Sequence, residues 1–199
     1  MPNHYTTRLA FDKPMSDELK KFLAGLGDVQ GGLCEALMPM PDIVRNTGSG
    51  FRKFKGPDGK EVEARSWYEP QGSGLSGRDA ARMFTPDEVA ELQKIGAANW
   101  YDWAAKYWGT KWGTYDSYVE DSESWTCKSA WGPPDEKVFQ LLADKFGVGF
   151  TIHGRDEDER NEQMLGSFSA RPIKKRKPRA RPAAKKRATC PKTASKKKK

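Results

Sequence analysis

The chain has 199 residues, 36% of them hydrophobic, and a formal net charge of +8 at pH 7. The surplus of positive charge lies at the C-terminal end, because residues 171–199 contain 15 of the 35 Lys and Arg side chains and no Asp or Glu. The first 170 residues therefore carry 20 basic and 27 acidic side chains, a net charge of −7. No segment approaches the roughly 20 apolar residues that cross a bilayer, and the amino-terminal residues lack the basic and apolar blocks of a signal peptide. We therefore expect a soluble, cytoplasmic protein with no membrane partner.

The composition predicts one folded domain, residues 1–170, followed by a tail, residues 171–199. The domain has an ordinary length and contains all seven Trp, nine Phe and six Tyr residues, enough for a hydrophobic core. The three cysteines, Cys34, Cys127 and Cys190, are odd in number and widely spaced, so they predict neither a disulfide framework nor a zinc site. We expect structural thiols.

The first 41 residues predict a strand, a helix and a second strand. Residues 4–11 alternate with the period of two that is typical of a strand. Ser16 can cap a helix whose apolar residues recur at helical spacing, and Gly27 follows as a stop signal. Residues 33–38, which are apolar except for Glu35, are interpreted as the second strand.

Glycine, proline and charged residues dominate residues 43–95, which we interpret as an insertion. Within it, residues 51–55 and 61–67 flank a Gly-Pro-Asp-Gly sequence whose turn chemistry predicts a short hairpin. Thr85 then provides an N-cap, and the proline and glutamate that follow it predict the start of a helix that continues through residues 97–107.

The remainder of the domain predicts four strands and a helix. Residues 115–120 and 124–131 indicate paired strands, with Trp125, Cys127, Ser129 and Trp131 on one face. A helix closed by Gly147 follows, and residues 150–153 and 164–168 indicate two more strands. The order of elements predicts an α+β fold, a ferredoxin-like antiparallel sheet with helices on one face.

Four short segments together carry a resemblance to a known family. They are Met-Pro-Asn at 1–3, Leu-Met-Pro-Met-Pro at 37–41, residues 100–112 with their Trp-Gly-Thr-Lys-Trp ending, and Ser-Ala-Trp-Gly-Pro-Pro at 129–134. In order and spacing the chain resembles the YubB ferredoxin-like domain family of small proteins carried by plasmids and bacteriophages. The resemblance implies that fold and a phage or plasmid origin, carries over no catalytic residues, and does not extend to the insertion or the tail.

Several patterns suggest chemistry, but each has a structural explanation. The Gly-x-Gly-x-x-Gly sequence at 72–77 follows no buried strand, which favours a linker over a phosphate-binding loop. The acidic run 156–159 could hold a hard cation, although adjacent acidic residues in a turn more often remain solvated. His153 could be a general base, but nothing positions a nucleophile for it, and Cys127 is predicted to face inward between tryptophans. We predict no catalytic residue, no metal and no cofactor.

The aromatic residues around the predicted helix 97–107 have two interpretations. Exposed Trp and Tyr rings beside basic residues could stack unpaired bases. Lys106 and Lys111 are the only cations in that stretch and the domain is net acidic, which favours core packing. If the rings form a contiguous exposed patch, a surface for a partner protein becomes the better interpretation.

The tail is expected to be disordered and to bind nucleic acid. Its Lys, Arg, Ala and Pro composition cannot bury enough apolar surface to fold alone. Its basic clusters resemble lysine-rich histone tails, which would neutralise phosphates without reading sequence. The residues predicted to contact nucleic acid are Lys174, Lys175, Arg176, Lys177, Arg179, Arg181, Lys185, Lys186, Arg187, Lys192, Lys196, Lys197, Lys198 and Lys199.

Other roles for the tail remain open: a nuclear import signal, attraction to anionic lipid headgroups, or folding back onto the acidic domain. The favoured hypothesis is a non-enzymatic phage or plasmid accessory protein, located in the host cytoplasm or nucleoid, that binds nucleic acid through the tail and a protein through the acidic body. One alternative is a host-protein interaction module whose tail serves only localisation or solubility. The other is an enzyme that uses the insertion and a cleft beside it, suggested by Asp121, His153 and the acidic run.

Overall fold

The computed structural model describes residues 3–27, 29–55, 58–68, 81–159 and 161–172. The glycine motif at 72–77 and the chain from residue 173 onward lie outside the described residues, so the expected disorder of the tail stays a prediction. In chain order the elements are β1 (His4–Phe11), α1 (Asp17–Ala24), α2 (Gly32–Leu37), α3 (Asp42–Arg45), β2 (Thr47–Lys55), β3 (Glu61–Tyr68), β4 (Ala81–Met83), α4 (Pro86–Ile95), α5 (Trp100–Tyr107), β5 (Thr114–Val119), β6 (Ser124–Ala130), α6 (Glu136–Phe146), β7 (Phe150–Asp156) and β8 (Gln163–Phe168).

Five strands form one antiparallel sheet in the order β5-β6-β1-β7-β8. The first strand of the chain, β1, lies at the centre and pairs antiparallel with β6 on one side and β7 on the other. Consequently β6 separates β1 from β5, and β1 separates β6 from β7, so that two split β-α-β units interleave. The arrangement confirms the predicted α+β fold with an antiparallel sheet.

One face of this sheet forms the core with the helices. In β1 the buried residues are Thr7, Leu9 and Phe11, while the side chains between them are partly exposed. The same period of two buries Phe150 and Ile152 in β7. Apolar residues of α1 and α6 complete the cluster: Leu19, Leu23, Val138, Phe139 and Leu142. The opposite face of the sheet, which we call the open face, carries the alternate side chains.

The prediction of a strand at residues 33–38 was wrong, because this segment forms the helix α2 and its C-cap, Met38. Gly31 turns the chain with a φ of +83°, and the backbone N–H of Leu33 donates to Oγ1 of Thr114 over 2.7 Å. Leu33 and Cys34 are both fully buried, and consecutive burial suits a helix between two layers better than a strand with one wet face. A six-residue run with five apolar residues and Glu35 among them fits either element, so its pattern could not distinguish them. The strand that completes the first split unit is β5.

The small sheet β2-β3-β4 lies within the predicted insertion. Its β2–β3 pairing confirms the predicted hairpin. The start of α4 is also as predicted: Oγ1 of Thr85 accepts from the backbone N–H of Glu88, and the Glu88 carboxylate accepts from the N–H of Thr85 over 2.8 Å. Hydrogen bonds from Arg82 to the same carboxylate lower the pKa of Glu88 to about 2.

The helix predicted to continue through residues 97–107 is two helices. α4 ends at Gly96, whose φ of +72° is the left-handed conformation that stops a helix. α5 then begins after Asn99, whose side chain accepts from the backbone N–H of Asp102 over 2.9 Å. The break reorients the aromatic residues that follow it.

Candidate functional site

The cations predicted to contact nucleic acid, from Lys174 to Lys199, lie outside the described residues. The described chain ends two residues before them, and Arg171 attaches that end to α6. Its guanidinium Nε and its backbone N–H each donate to the Asp144 carboxylate over 2.8 Å. These hydrogen bonds lower the pKa of Asp144 to about 2. The basic segment therefore starts from a defined point on the surface of the domain.

The residues of the enzyme hypothesis do not converge. A backbone hydrogen bond from Phe11 places the turn that contains Asp121 beside the last residue of β1. Asp156, the first residue of the acidic run, pairs with Tyr5 near the start of β1. Six positions of β1 separate the two places, about 20 Å at roughly 3.3 Å per residue, and His153 lies between them. Within the described residues, no group of three His, Cys, Asp or Glu side chains could hold a metal ion.

The two described cysteines are core residues. Cys34 and Cys127 are both fully buried, and burial raises the pKa of each thiol above its usual value. Cys127 faces inward as predicted, together with Trp125 and Ser129. A thiol in such surroundings behaves as a small apolar group. Cys190 lies outside the described residues.

A cleft of about 870 Å³ lies where three parts of the chain meet, within the size range of small-ligand sites. The loop before α2 forms one side, the start of β2 a second, and the segment from α5 to β5 the third. The cleft is rich in aromatic rings and contains two cations; these residues are Trp100, Trp108, Trp112, Tyr115, Arg45 and Lys111. The sequence did not predict that these residues would line one cleft.

Two glycines permit the close backbone contact behind the cleft. The backbone N–H of Thr114 donates to the carbonyl of Gly31 over 3.1 Å, which fixes the α2 loop against the start of β5. A Cβ atom at Gly113 would lie 2.4 Å from that same carbonyl oxygen, and Gly113 has a φ of +69°. Both facts exclude a side chain at Gly113. Two of the three sides of the cleft, the α2 loop and the start of β5, are thereby held in contact.

Trp108 forms the buried part of the cleft. Its side chain is 4% exposed, and its indole N–H donates to the carbonyl of Met38 over 2.9 Å. Its ring meets Trp103 edge to face at 5.2 Å between centroids. Trp103 and Trp108 thus confirm the core-packing interpretation for their own rings.

Other rings of the same segment are not core. Trp112 is 40% exposed. Tyr115 lies beside it, and the hydroxyl of Tyr115 forms a 2.7 Å hydrogen bond with Nδ1 of His4. Burial raises the pKa of Tyr115, and the nearby carboxylates of Asp116 and Glu157 raise it further. The core-packing interpretation is therefore wrong for Trp112.

Trp131 extends this aromatic surface beyond the cleft. The prediction that it shares the inward face of β6 was wrong, because the chain leaves the strand after Ala130 and Trp131 is 51% exposed. Its φ is +72°, a left-handed conformation rarely adopted by a bulky side chain. The backbone N–H of Trp131 donates to the carbonyl of Asn3 over 3.0 Å, which holds the turn in place. The Trp131 ring contacts Tyr101 edge to face.

Lys111 connects the cleft with the Trp131 ring. Its ammonium lies 4.9 Å from the ring centroid of Trp112, 5.3 Å from that of Trp131 and 5.8 Å from that of Tyr101. In the described part of the chain no carboxylate forms an ion pair with it. Arg45 differs, because it is paired with Glu35 and Asp42. Lys111 is thus the cation of the cleft whose charge no described acid compensates.

We call the exposed rings of Trp112 and Trp131, with Tyr101 and Lys111, the aromatic platform. Two of the four segments behind the family resemblance, residues 100–112 and 129–134, supply all of it. The only sequence signal was the density of tryptophan in two short segments. Their convergence depends on the register of β6 and on the turn at Trp131, which composition does not show.

No protein-family model, no curated protein and no solved structure matches the chain. The resemblance to the YubB ferredoxin-like domain family therefore stays a prediction. Among the helices that the structure describes, none has the length and apolar character needed to span a bilayer.

Proposed function

We propose that this chain is a non-enzymatic accessory protein, of the kind carried by phages and plasmids, that binds nucleic acid through its basic tail. The observation that carries the proposal is the division of charge: 15 basic and no acidic side chains in residues 171–199, beside a domain with a net charge of −7. A cationic segment of this composition releases counterions from any phosphate backbone, so it favours nucleic acid of any sequence. The family resemblance supports the phage or plasmid setting.

The attachment of Arg171 supports a separate role for the tail. Asp144 fixes the end of the domain on α6, so the predicted contact residues, Lys174 onward, follow a completed fold. Cations needed for folding would be expected within the domain and paired with its acids, as Arg8 is with Glu162. We therefore expect the tail to provide non-specific affinity for nucleic acid and the domain to provide any selectivity.

A gel-shift comparison of the full chain with a chain ending at Pro172 tests the proposal. Removing residues 173–199 should weaken binding to a duplex of about 30 base pairs by at least roughly 100-fold at 50 mM salt, because each lost phosphate contact also removes counterion release. If about six cations contact phosphate, the logarithm of the affinity should fall with the logarithm of the salt concentration at a slope of about −5, and the shortened chain should show a much smaller slope.

The matched control keeps the length of the tail. A full chain in which every Lys and Arg from Lys174 onward is replaced by Gln should behave like the shortened chain, whereas a shuffled tail of unchanged composition should bind like the natural one. Equal duplex affinity in the full and shortened chains would remove the tail from the function.

A second candidate is an interaction module for a host protein, in which the tail serves only localisation or solubility. The exposed rings of Trp112 and Trp131 favour it, because aromatic residues are enriched in protein interfaces. Equal duplex affinity in the full and shortened chains would favour the module, because a tail that binds phosphate backbones must weaken binding when it is removed.

A further inference from the structure

The aromatic platform combines ring faces and an uncompensated cation at one place. Trp112 and Trp131 are 40% and 51% exposed, and both ring centroids lie within 5.3 Å of the same ammonium. Exposed apolar surface of this kind, next to a cleft, marks an interaction site more often than a scattered single residue does. The platform therefore suits a ligand that offers flat apolar surface.

The position of Lys111 indicates which charge the ligand should carry and where that charge should lie. Its ammonium lies 4.9 and 5.3 Å from the centroids of Trp112 and Trp131, so the two centroids are no more than about 10 Å apart and the cation lies within reach of both. Because a lysine ammonium sits on a flexible four-carbon chain, it can leave the rings to meet an anion. The ligand should place one negative charge between two flat groups.

Two successive nucleotides of an unpaired strand have this pattern, since one phosphate links two bases. In a duplex the faces of each base are covered by its neighbours, whereas an unpaired base can lie on an aromatic ring. A proline-rich peptide could also occupy an aromatic groove, but it offers no anion to Lys111. A cationic peptide would be repelled by it.

The backbone of Trp131 gives an independent argument. A tryptophan in a left-handed conformation is strained, and the hydrogen bond to Asn3 keeps it so with its ring half exposed. Gly132, which would adopt that conformation without strain, is the next residue. Backbone strain at an exposed aromatic residue points to a binding role for its ring. If the ring served only to pack the core, it would be buried.

We propose that the aromatic platform binds an unpaired nucleic-acid strand, with bases stacked on Trp112 and Trp131 and the intervening phosphate held by Lys111. This deepens the proposed nucleic-acid binding and rests on it: the tail supplies attraction to any phosphate backbone, and the platform supplies preference for single strands. Unpaired DNA and RNA share the required chemistry.

The test uses the full chain and fluorescence anisotropy with four labelled probes: twelve-nucleotide oligo-dT, oligo-U of the same length, a twelve-base-pair duplex and a labelled mononucleotide. Measurements at about 0.3 M salt weaken the tail contribution. The unchanged chain should bind at least one of the single strands more tightly than the duplex. The better of the two identifies DNA or RNA as the source.

Trp112→Ala and Trp131→Ala should each weaken single-strand binding by about tenfold, within the range measured for loss of one stacked base, and should leave duplex binding unchanged. Trp131→Phe keeps a ring and should retain most of the affinity, which separates stacking from a folding defect. Lys111→Gln should weaken single-strand binding and reduce the salt slope by about 0.7.

The matched controls lie away from the platform. Tyr118→Ala removes another exposed ring, and Lys137→Gln removes another exposed positive charge, on α6; neither should change any of the four affinities. Circular dichroism of every variant checks that the fold persists.

Three results would overturn the proposal: single-strand binding no tighter than duplex binding, unchanged single-strand affinity in both tryptophan variants, or mononucleotide affinity equal to that of the strands. The first two leave a protein as the occupant of the platform and the last a free nucleotide. These failures are distinct from failure of the proposed function, which the duplex and the chain ending at Pro172 report.

Discussion

The open face of the sheet and the aromatic platform are two solvent-facing surfaces of one domain. They differ in whether their charged side chains form ion pairs. On the open face, Arg8 is paired with Glu162 and Lys128 with Asp116. The central strands β1 and β6 direct no Phe, Tyr or Trp side chain onto it, whereas sheets that bind RNA stack bases on aromatic residues there. The platform has the opposite composition, with exposed rings around Lys111.

The two surfaces differ in how their polar and apolar groups are satisfied by neighbouring side chains. Paired side chains on the open face satisfy one another, and surface ion pairs of this kind contribute about 0–1 kcal/mol. The platform leaves two tryptophan rings half in water and holds one of them on a left-handed backbone, which costs about 1–2 kcal/mol. On the platform a bulky side chain on a left-handed backbone, exposed rings and a cation unpaired within the described chain occur together, and such places are where function is expected.

The largest expected effect concerns the base of the cleft. Trp108→Ala should lower the free energy of unfolding by about 3–5 kcal/mol, because it leaves a cavity and removes the hydrogen bond to the carbonyl of Met38. Urea denaturation followed by circular dichroism measures the change. On the open face, Tyr118→Ala removes a 54% exposed ring and should change stability by less than about 0.5 kcal/mol. Similar losses in both variants would mean that the two surfaces do not differ in packing.

The next effect separates backbone strain from ring contacts at Trp131. Trp131→Gly and Trp131→Ala both remove the ring, but only glycine relieves the left-handed conformation. Trp131→Gly should therefore be more stable than Trp131→Ala by about 1 kcal/mol in urea denaturation. The same pair of substitutions at Thr126, within β6, should give the reverse order because glycine weakens a strand. If alanine were the more stable residue at position 131, strain there would be absent.

An effect of similar size concerns Tyr115, where the cleft meets the start of β1. Tyr115→Phe removes the hydrogen bond to His4 and should lower the free energy of unfolding by about 1 kcal/mol at pH 7. Because the folded state raises the pKa of Tyr115, that state holds its proton more tightly than the unfolded chain does. Stability from this group is complete below the unfolded pKa of about 10 and is lost as pH rises through the folded pKa.

Urea titrations between pH 7 and 11 measure this dependence. The stability difference between the unchanged chain and Tyr115→Phe should be constant up to about pH 10 and should shrink above it. A difference that grows with pH would contradict the raised pKa. Tyr118→Phe serves as the control for the general effect of alkaline pH on an exposed tyrosine.

The sequence predicted the elements whose signals are local. Ser16, Thr85 and Gly147 mark helix ends through their own side chains or backbone, and each acts as predicted. Strand alternation predicted the bounds of β1 because one face of that strand is wet and the other dry. The α+β class followed from the order of such elements.

The sequence could not predict features that depend on distant contacts. The run 33–38 became a helix because the Thr114 side chain, far along the chain, caps its first turn. Trp131 became exposed because Asn3 holds its backbone. The platform depends on both the β6 register and this turn. The sequence therefore shows that tryptophans are abundant in these segments, but it does not show that their side chains come together.

The central place of β1 has a consequence for synthesis of the chain. Its partners, β6 and β7, begin more than 110 residues after β1 ends. At roughly 5 to 20 residues per second, a ribosome needs about 6 to 22 seconds to make the chain between β1 and β6. Throughout that interval both edges of β1 lack the strands that will cover them. The carbonyl of Asn3 also lacks the N–H of Trp131 that will donate to it. Slowed translation or a delayed β6 should therefore expose this strand to aggregation more than any other part of the sheet.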